Sequence, residues 1–199
     1  LSRPGETLAY HAITGGFVLG EVVRRVTGQD IRAMLSNDVA GPLGMTSFSY
    51  GVPEDQLDNV AVEAFTGAKP RLAVSRFLER SLGVDVHGAV EIANDRRFRT
   101  SVIPSGNVIT TANDACRFME LLLRGGMLGG VRIFSERTVR RAVTEQTWME
   151  LDRVLMFPMR YSMGFMLGGQ TASIYGPQTT RAFGHLGFSQ VLAWADPER

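Results

Sequence analysis

The order of hydrophobic patterns along the chain predicts an α+β fold, mainly helical over about residues 1–155 and built of strands over about 156–199. Three observations carry this expectation. Small and apolar residues recur at helical spacing over 12–26 and again over 115–122. Residues that start and stop helices bracket those stretches. Unbroken apolar runs, 182–188 and 191–195, come only near the end, so strands and helices do not alternate as they would around a parallel sheet. At 199 residues, 44% hydrophobic and 21% charged, the chain is long enough for one domain with a sizeable core.

The first helix is expected over about 12–26, with Ala12, Gly15, Leu19, Val22 and Val26 recurring on one side, a Glu21–Arg25 pair on the other, and Gly28 as its stop. Asp30 caps a second helix over about 31–40, which ends at Gly41-Pro42 because proline cannot continue it. Residues 46–70 carry Gly51, Pro53, Gly67 and Pro70 without periodicity and read as irregular. A third helix is expected over about 71–82, and 83–106 reads as loop, with Asp95-Arg96-Arg97 a solvated surface patch.

Thr111-Ala112-Asn113-Asp114 has the form of a capping box. The helix behind it turns Ala115, Phe118, Met119 and Leu122 inward, turns Arg117, Glu120 and Arg124 outward, and stops at Gly125-Gly126. Cys116 within it reads as a small core residue. Gly129-Gly130 reads as a tight turn, and Ser135 as the cap of a helix over about 136–145. Residues 160–168 alternate loosely; with 182–188 and 191–195 they make three adjacent antiparallel strands.

The composition excludes several functions. A net charge of +1, with scattered arginines and Lys69 the sole lysine, predicts no nucleic-acid partner. No apolar run reaches the roughly 20 residues a membrane-crossing helix needs. One cysteine allows no internal disulfide and leaves the compartment open. His11, His87 and His185 are widely separated and lack His-Glu-x-x-His or cysteine pairs, so no metal site is expected. His87 reads as a loop residue. No glycine-rich nucleotide fingerprint and no Gly-x-Ser-x-Gly elbow occurs, and no cofactor is expected. Oligomeric state leaves no mark on the sequence.

Two polar clusters near the ends remain. Tyr10-His11-Ala12 follows Pro4-Gly5 and precedes Ile13-Thr14-Gly15-Gly16; His185-Leu186-Gly187 lies inside an apolar run, flanked by Phe183 and by Trp194-Ala195-Asp196-Pro197. Taken alone, Tyr10 reads as a half-buried aromatic at a helix start and His185 as a structural histidine. As an ordered set, the clusters resemble the Tyr-x-Asn and Lys-Thr-Gly signatures of the serine β-lactamase-related hydrolases, which include class C β-lactamases, penicillin-binding proteins and related esterases. Pro42-Leu43-Gly44-Met45-Thr46, and Pro104-Ser105-Gly106-Asn107 through Thr110-Thr111-Ala112, resemble two further recurring segments of that family.

The resemblance implies a helical lobe with Tyr10 packed against an antiparallel sheet whose edge strand holds His185. It implies that Tyr10 serves a nucleophilic serine as proton relay and that His185 stands beside the phenol offering a donor or positive charge. Gly187 would let substrate approach the strand, and the Phe188 N–H would be an oxyanion donor. His11 is either a substrate contact or a hydrogen-bonded residue turned away from the cleft. Ala12 departs from the family's Asn and can neither donate nor accept a side-chain hydrogen bond, which shifts the expected substrate from β-lactams towards esters.

The family's third signature, Ser-x-x-Lys, is absent from these 199 residues. The nearest match, Thr66-Gly67-Ala68-Lys69, follows the tyrosine motif instead of preceding it and sits in a Gly/Pro loop. The chain is therefore expected to be the C-terminal part of one β-lactamase-like domain, inactive alone, with the nucleophile upstream. The intact protein is expected to be a carboxylesterase-like serine hydrolase acting on a small-molecule ester or amide. The alternatives are a β-lactamase or D-amino-acid peptidase of the same fold, and a non-catalytic binding protein that retains the cleft.

Overall fold

A computed structural model describes residues 5–68, 75, 79, 83–187 and 191–199. Helix α1 (Thr14–Thr27) ends where Gly28 takes a left-handed φ of 75° and its N–H closes on the Arg24 carbonyl at 2.9 Å. Helix α2 (Ile31–Met34) starts on the Asp30 carboxylate, which accepts the N–H groups of Arg32 and Ala33, and runs on into a π-helical turn (Leu35–Ala40). The wider turn closes with the Gly41 N–H on the Ser36 carbonyl at 2.8 Å. Both helix ends fall where the capping residues place them.

The segment 83–106 is not loop. Asp85 caps helix α3 (Val86–Asn94) by accepting the Gly88 N–H, and Asp95 caps helix α4 (Arg96–Thr100) by accepting that of Arg97. Two Asx caps thus outweigh the poor periodicity, and Asp95 carries a structural bond while Arg96 and Arg97 stay solvated. His87 is helical, with its ring edge-on to Phe65. Of the helix expected over 71–82, only Ser75 and Glu79 are described, and both are helical.

The lobe expected to be mainly helical also contains strands. β1 (Phe48–Tyr50) pairs antiparallel with β2 (Val108–Thr110), and a 3-10 turn (Glu54–Asn59) follows β1. These three-residue strands are too short for alternation to mark them. Asn107, buried beside β2, accepts the Ile103 N–H and donates to the carbonyls of Phe98 and Ser101.

Helix α5 (Ala112–Leu123) is the structural centre. Thr111 caps it through the Asp114 N–H, but Asp114 does not return the bond. Its buried carboxylate instead accepts the Ser47 N–H at 3.0 Å, which ties the turn before β1 to α5. Met119 and Leu122 join Val139, Leu167, Phe183 and Ala195 in one core. Leu121, with no exposed surface, joins Val39, Ala40, Leu43 and Met45 in a second, and Phe118 packs against both. Cys116 is exposed, on the side of α5 that neither core covers. Leu121→Ala is expected to destabilise the intact protein by about 2–5 kcal/mol, measured by urea unfolding, because the site is enclosed on all sides.

Gly125 and Gly126 end α5 with φ of 63° and 88°. Gly129 and Gly130, at φ 57° and 82°, form the two-residue turn between β3 (Met127–Leu128) and β4 (Val131–Arg132). Ser135 caps helix α6 (Glu136–Val143). A further hairpin, β5 (Glu150–Asp152) with β6 (Phe157–Met159), precedes the last sheet. That sheet has the order β7-β8-β9, from Met166–Leu167, Phe183–Leu186 and Leu192–Ala195, all antiparallel as expected.

β8 is central in this sheet rather than its edge. β7, however, reaches only to Gly184, so beyond that residue β8 is paired on the β9 side alone. The strand is therefore locally open from His185 onward.

Candidate active site

Tyr10 lies just before α1, and three contacts hold it there. The Leu8 carbonyl accepts the Arg153 N–H at 2.9 Å, and the Tyr10 N–H donates to Asp152 Oδ1 at 3.2 Å. The segment thus lies along the turn of the β5–β6 hairpin. On the other side, α1 seats its glycines against the Pro104 turn. A Cβ at Gly16 would lie 2.8 Å from the Ser105 nitrogen, and one at Gly20 would lie 3.3 Å from Pro104 Cγ. The close approach needs glycine at the first position and tolerates little more at the second.

His185 comes from the open end of β8. Its Nδ1 lies 2.8 Å from the Leu186 carbonyl, which can only accept, so Nδ1 carries the proton. Nε2 of the neutral ring is then an acceptor, and it stands 3.4 Å from the Tyr10 hydroxyl with the ring centroids 5.7 Å apart. The phenol therefore donates to the imidazole, at the long end of hydrogen-bond range. The neutral ring offers Tyr10 a lone pair, where the resemblance implied a donor or positive charge. Side chains 175 positions apart in the chain thus meet.

Burial drives both groups towards their neutral forms. It raises the Tyr10 phenol above its usual range, and the nearby Asp152 charge adds to the rise. It lowers His185 below its usual value near 6.5, although the Leu186 bond acts the other way. A histidine depressed in the folded state supports stability fully above about pH 6.5, and that support is lost as pH falls through the lower folded value. The Tm difference between the intact protein and a His185→Gln variant should accordingly shrink from about pH 7.5 to about pH 5. A gap that widens on acidification would overturn this assignment.

The remaining expected residues are placed differently. His11 is exposed and turned to its own helix start, its Nδ1 3.2 Å from Thr14 Oγ1. Gly187 continues from β8 with its N–H on the Val191 carbonyl at 2.7 Å, and a Cβ there would lie 3.2 Å from that oxygen. Phe188 lies outside the described residues, as does Lys69. Among the described residues no group of three or more His, Cys, Asp or Glu side chains could hold a metal ion, and no helix is long and apolar enough to cross a membrane.

Two residues of the site have no counterpart in the sequence reading. Asp152, without exposed surface, binds the Tyr10 main chain, and Tyr161 stacks on the Tyr10 ring with planes 2° apart. The only local signal is an Asx turn, with Asp152 accepting the N–H groups of Val154 and Leu155. That signal marks a turn and says nothing of Tyr10.

A helical lobe against an antiparallel sheet, with a phenol and an imidazole meeting between them, defines the β-lactamase/transpeptidase class of fold. The family model described as Beta-lactamase matches residues 1–199, and the chain belongs to that family. It is 26% identical to the esterase/beta-lactamase LipL of Mycobacterium tuberculosis, over 98% of this chain and 47% of that protein. The crystal structure of a family VIII carboxylesterase superposes with a TM-score of 0.82 at 30% identity, covering 99% of this chain and 51% of the other. A penicillin-binding protein homologue from Caulobacter crescentus gives a TM-score of 0.74 at 30% identity, covering 98% and 51%. The chain thus spans about half the length of the relatives it matches.

Proposed function

We infer that the intact protein is a serine hydrolase working through an acyl-enzyme, that this chain is the C-terminal part of its catalytic domain, and that its nucleophile lies outside the 199 residues. One observation carries the reading: the Tyr10 hydroxyl lies within 3.4 Å of His185 Nε2. A further feature agrees with it. Helix α1 exposes Leu19, Val22 and Val26 of the stripe that predicted it, together with Phe17 and Val18, an apolar face that the upstream part of the intact protein would cover.

The chemistry follows from the two neutral rings. A standing phenolate is disfavoured beside Asp152. When the serine hydroxyl attacks the substrate carbonyl, its proton passes to the Tyr10 oxygen while the Tyr10 proton passes to His185 Nε2. The lysine of the family's Ser-x-x-Lys signature would steady the phenol oxygen through this step. The reverse transfer protonates the leaving alcohol, and water repeats the sequence to release the acid. By resemblance the Phe188 N–H is one oxyanion donor, and such a donor contributes about 3–4 kcal/mol in comparable sites. Gly187 would flank the substrate, while His11, held on Thr14 Oγ1, faces its own helix start.

Esters are the favoured substrates, because Ala12 offers no amide to a β-lactam or peptide bond. The LipL name covers both ester and β-lactam hydrolysis, so β-lactams and D-amino-acid peptides stand as the second reading. Fluorophosphonate labelling of the full-length protein, read by mass spectrometry, should modify a serine followed three residues later by lysine. Nitrophenyl esters should be turned over. Absence of both would leave the binding-protein reading in its place.

A further inference from the structure

Asp152 has no part in the proton transfers above, yet it is the most thoroughly buried ionisable group beside Tyr10. It has no exposed surface, and both carboxylate oxygens accept hydrogen bonds. Oδ1 takes the N–H groups of Tyr10 at 3.2 Å, Val154 at 2.8 Å and Leu155 at 2.9 Å. Oδ2 takes the Tyr161 hydroxyl at 3.1 Å. The Tyr161 ring lies parallel to that of Tyr10, centroids 6.5 Å apart. Tyr161 is itself held from behind, its N–H on Thr147 Oγ1 at 2.9 Å.

A turn of this kind needs only the two bonds to Val154 and Leu155, which an exposed Asx side chain could accept. Burying a carboxylate is costly unless every lone pair is used. Here the surplus acceptor capacity goes to Tyr10 twice, directly to its main chain and, through Tyr161, to its ring. Among the described residues, the groups facing the Tyr10 side chain are Asp152 from the β5–β6 hairpin, Tyr161 from the segment before β7, and His185 from β8.

We propose that Asp152 and Tyr161 are positioning residues that clamp Tyr10 from its main chain and its ring face, aiming the phenol at His185. The clamp also has an electrical consequence. Asp152 places a negative charge behind the phenol, which keeps the Tyr10 proton in place until the reaction draws it away. The functional side of the inference rests on the hydrolase reading; the geometric side stands without it.

The test uses the full-length protein with ¹³Cζ-labelled tyrosine, Tyr10 being assigned by the resonance that Tyr10→Phe removes. Asp152→Asn keeps the shape and the Oδ1 acceptor but removes the charge. It should lower the proton affinity of Tyr10, seen as titration beginning at lower pH, with burial still holding the phenol above its ordinary range. Asp152→Ala removes both, and should lower kcat for a nitrophenyl ester roughly 100-fold with KM little changed, while Asn restores most of that loss. Tyr161→Phe preserves ring and volume and should shift the Tyr10 Cζ resonance by freeing the stack. Should the Asp152 variants fail to fold by thermal scan, Tyr161→Phe decides alone. Titration and resonance unchanged in folded variants overturn the clamp. A full-length wild type with neither ester turnover nor fluorophosphonate labelling sinks the hydrolase reading, and the titration still decides the clamp.

Discussion

Tyr10→Phe is expected to lower kcat/KM for ester hydrolysis in the intact protein by roughly 100- to 10,000-fold, the range of a general acid–base group. The substitution removes one oxygen and little else. The main-chain N–H that bonds Asp152 remains, and so does the ring that stacks on Tyr161. His185 keeps its Leu186 bond and loses only the 3.4 Å contact from Nε2. The loss should fall on kcat, with KM nearly constant and Tm within a degree or two of wild type, the small effect usual for changes that open no cavity. Turnover unchanged by the substitution would take Tyr10 out of the mechanism.

Gly184→Ala is expected to act through the strand that carries His185 and to cost both stability and activity. A Cβ at Gly184 would collide with the Ala193 carbonyl oxygen and lie 2.5 Å from Trp194 Cα and 2.6 Å from Trp194 Cβ. These atoms cannot step aside. Trp194 is stacked on Tyr175 at 5.2 Å, and the Tyr175 hydroxyl donates to the Met166 carbonyl at 3.0 Å on the strand across β8. β8 would have to part from β9, at a typical overpacking cost of about 1–3 kcal/mol. His185 is the next residue and pairs with Ala193, so it moves with the strand. A misplacement near 1 Å costs roughly 100-fold in rate. A lower urea midpoint together with reduced kcat is the expected result; full activity at wild-type stability would show that β8 has slack that these contacts deny.

Much of the helical framework was readable because its determinants lie within a few residues of each other. Gly28, Asp30, Gly125-Gly126, Gly129-Gly130 and Ser135 each act through a local dihedral or a local hydrogen bond, and each does what its type suggests. Asp85 and Asp95 carry the same local signal, and their caps announce α3 and α4. Tyr10 and His185 were legible as types in an ordered motif set, not as a contact.

Other features depend on what the folded chain brings together. Whether the α1 stripe is covered, whether Asp114 caps its own helix or bonds Ser47, and whether Cys116 meets a core are settled by neighbours distant in sequence. Asp152 is the sharpest case, since its bond to Tyr10 spans 142 residues. Short-range chemistry in the chain decides where helices and turns begin and end, because those choices are made by adjacent main-chain groups. Only the packed structure decides the tautomer of His185, the aim of Tyr10 and the carboxylate behind it. Those depend on which lone pairs and protons are left facing one another once water has been excluded.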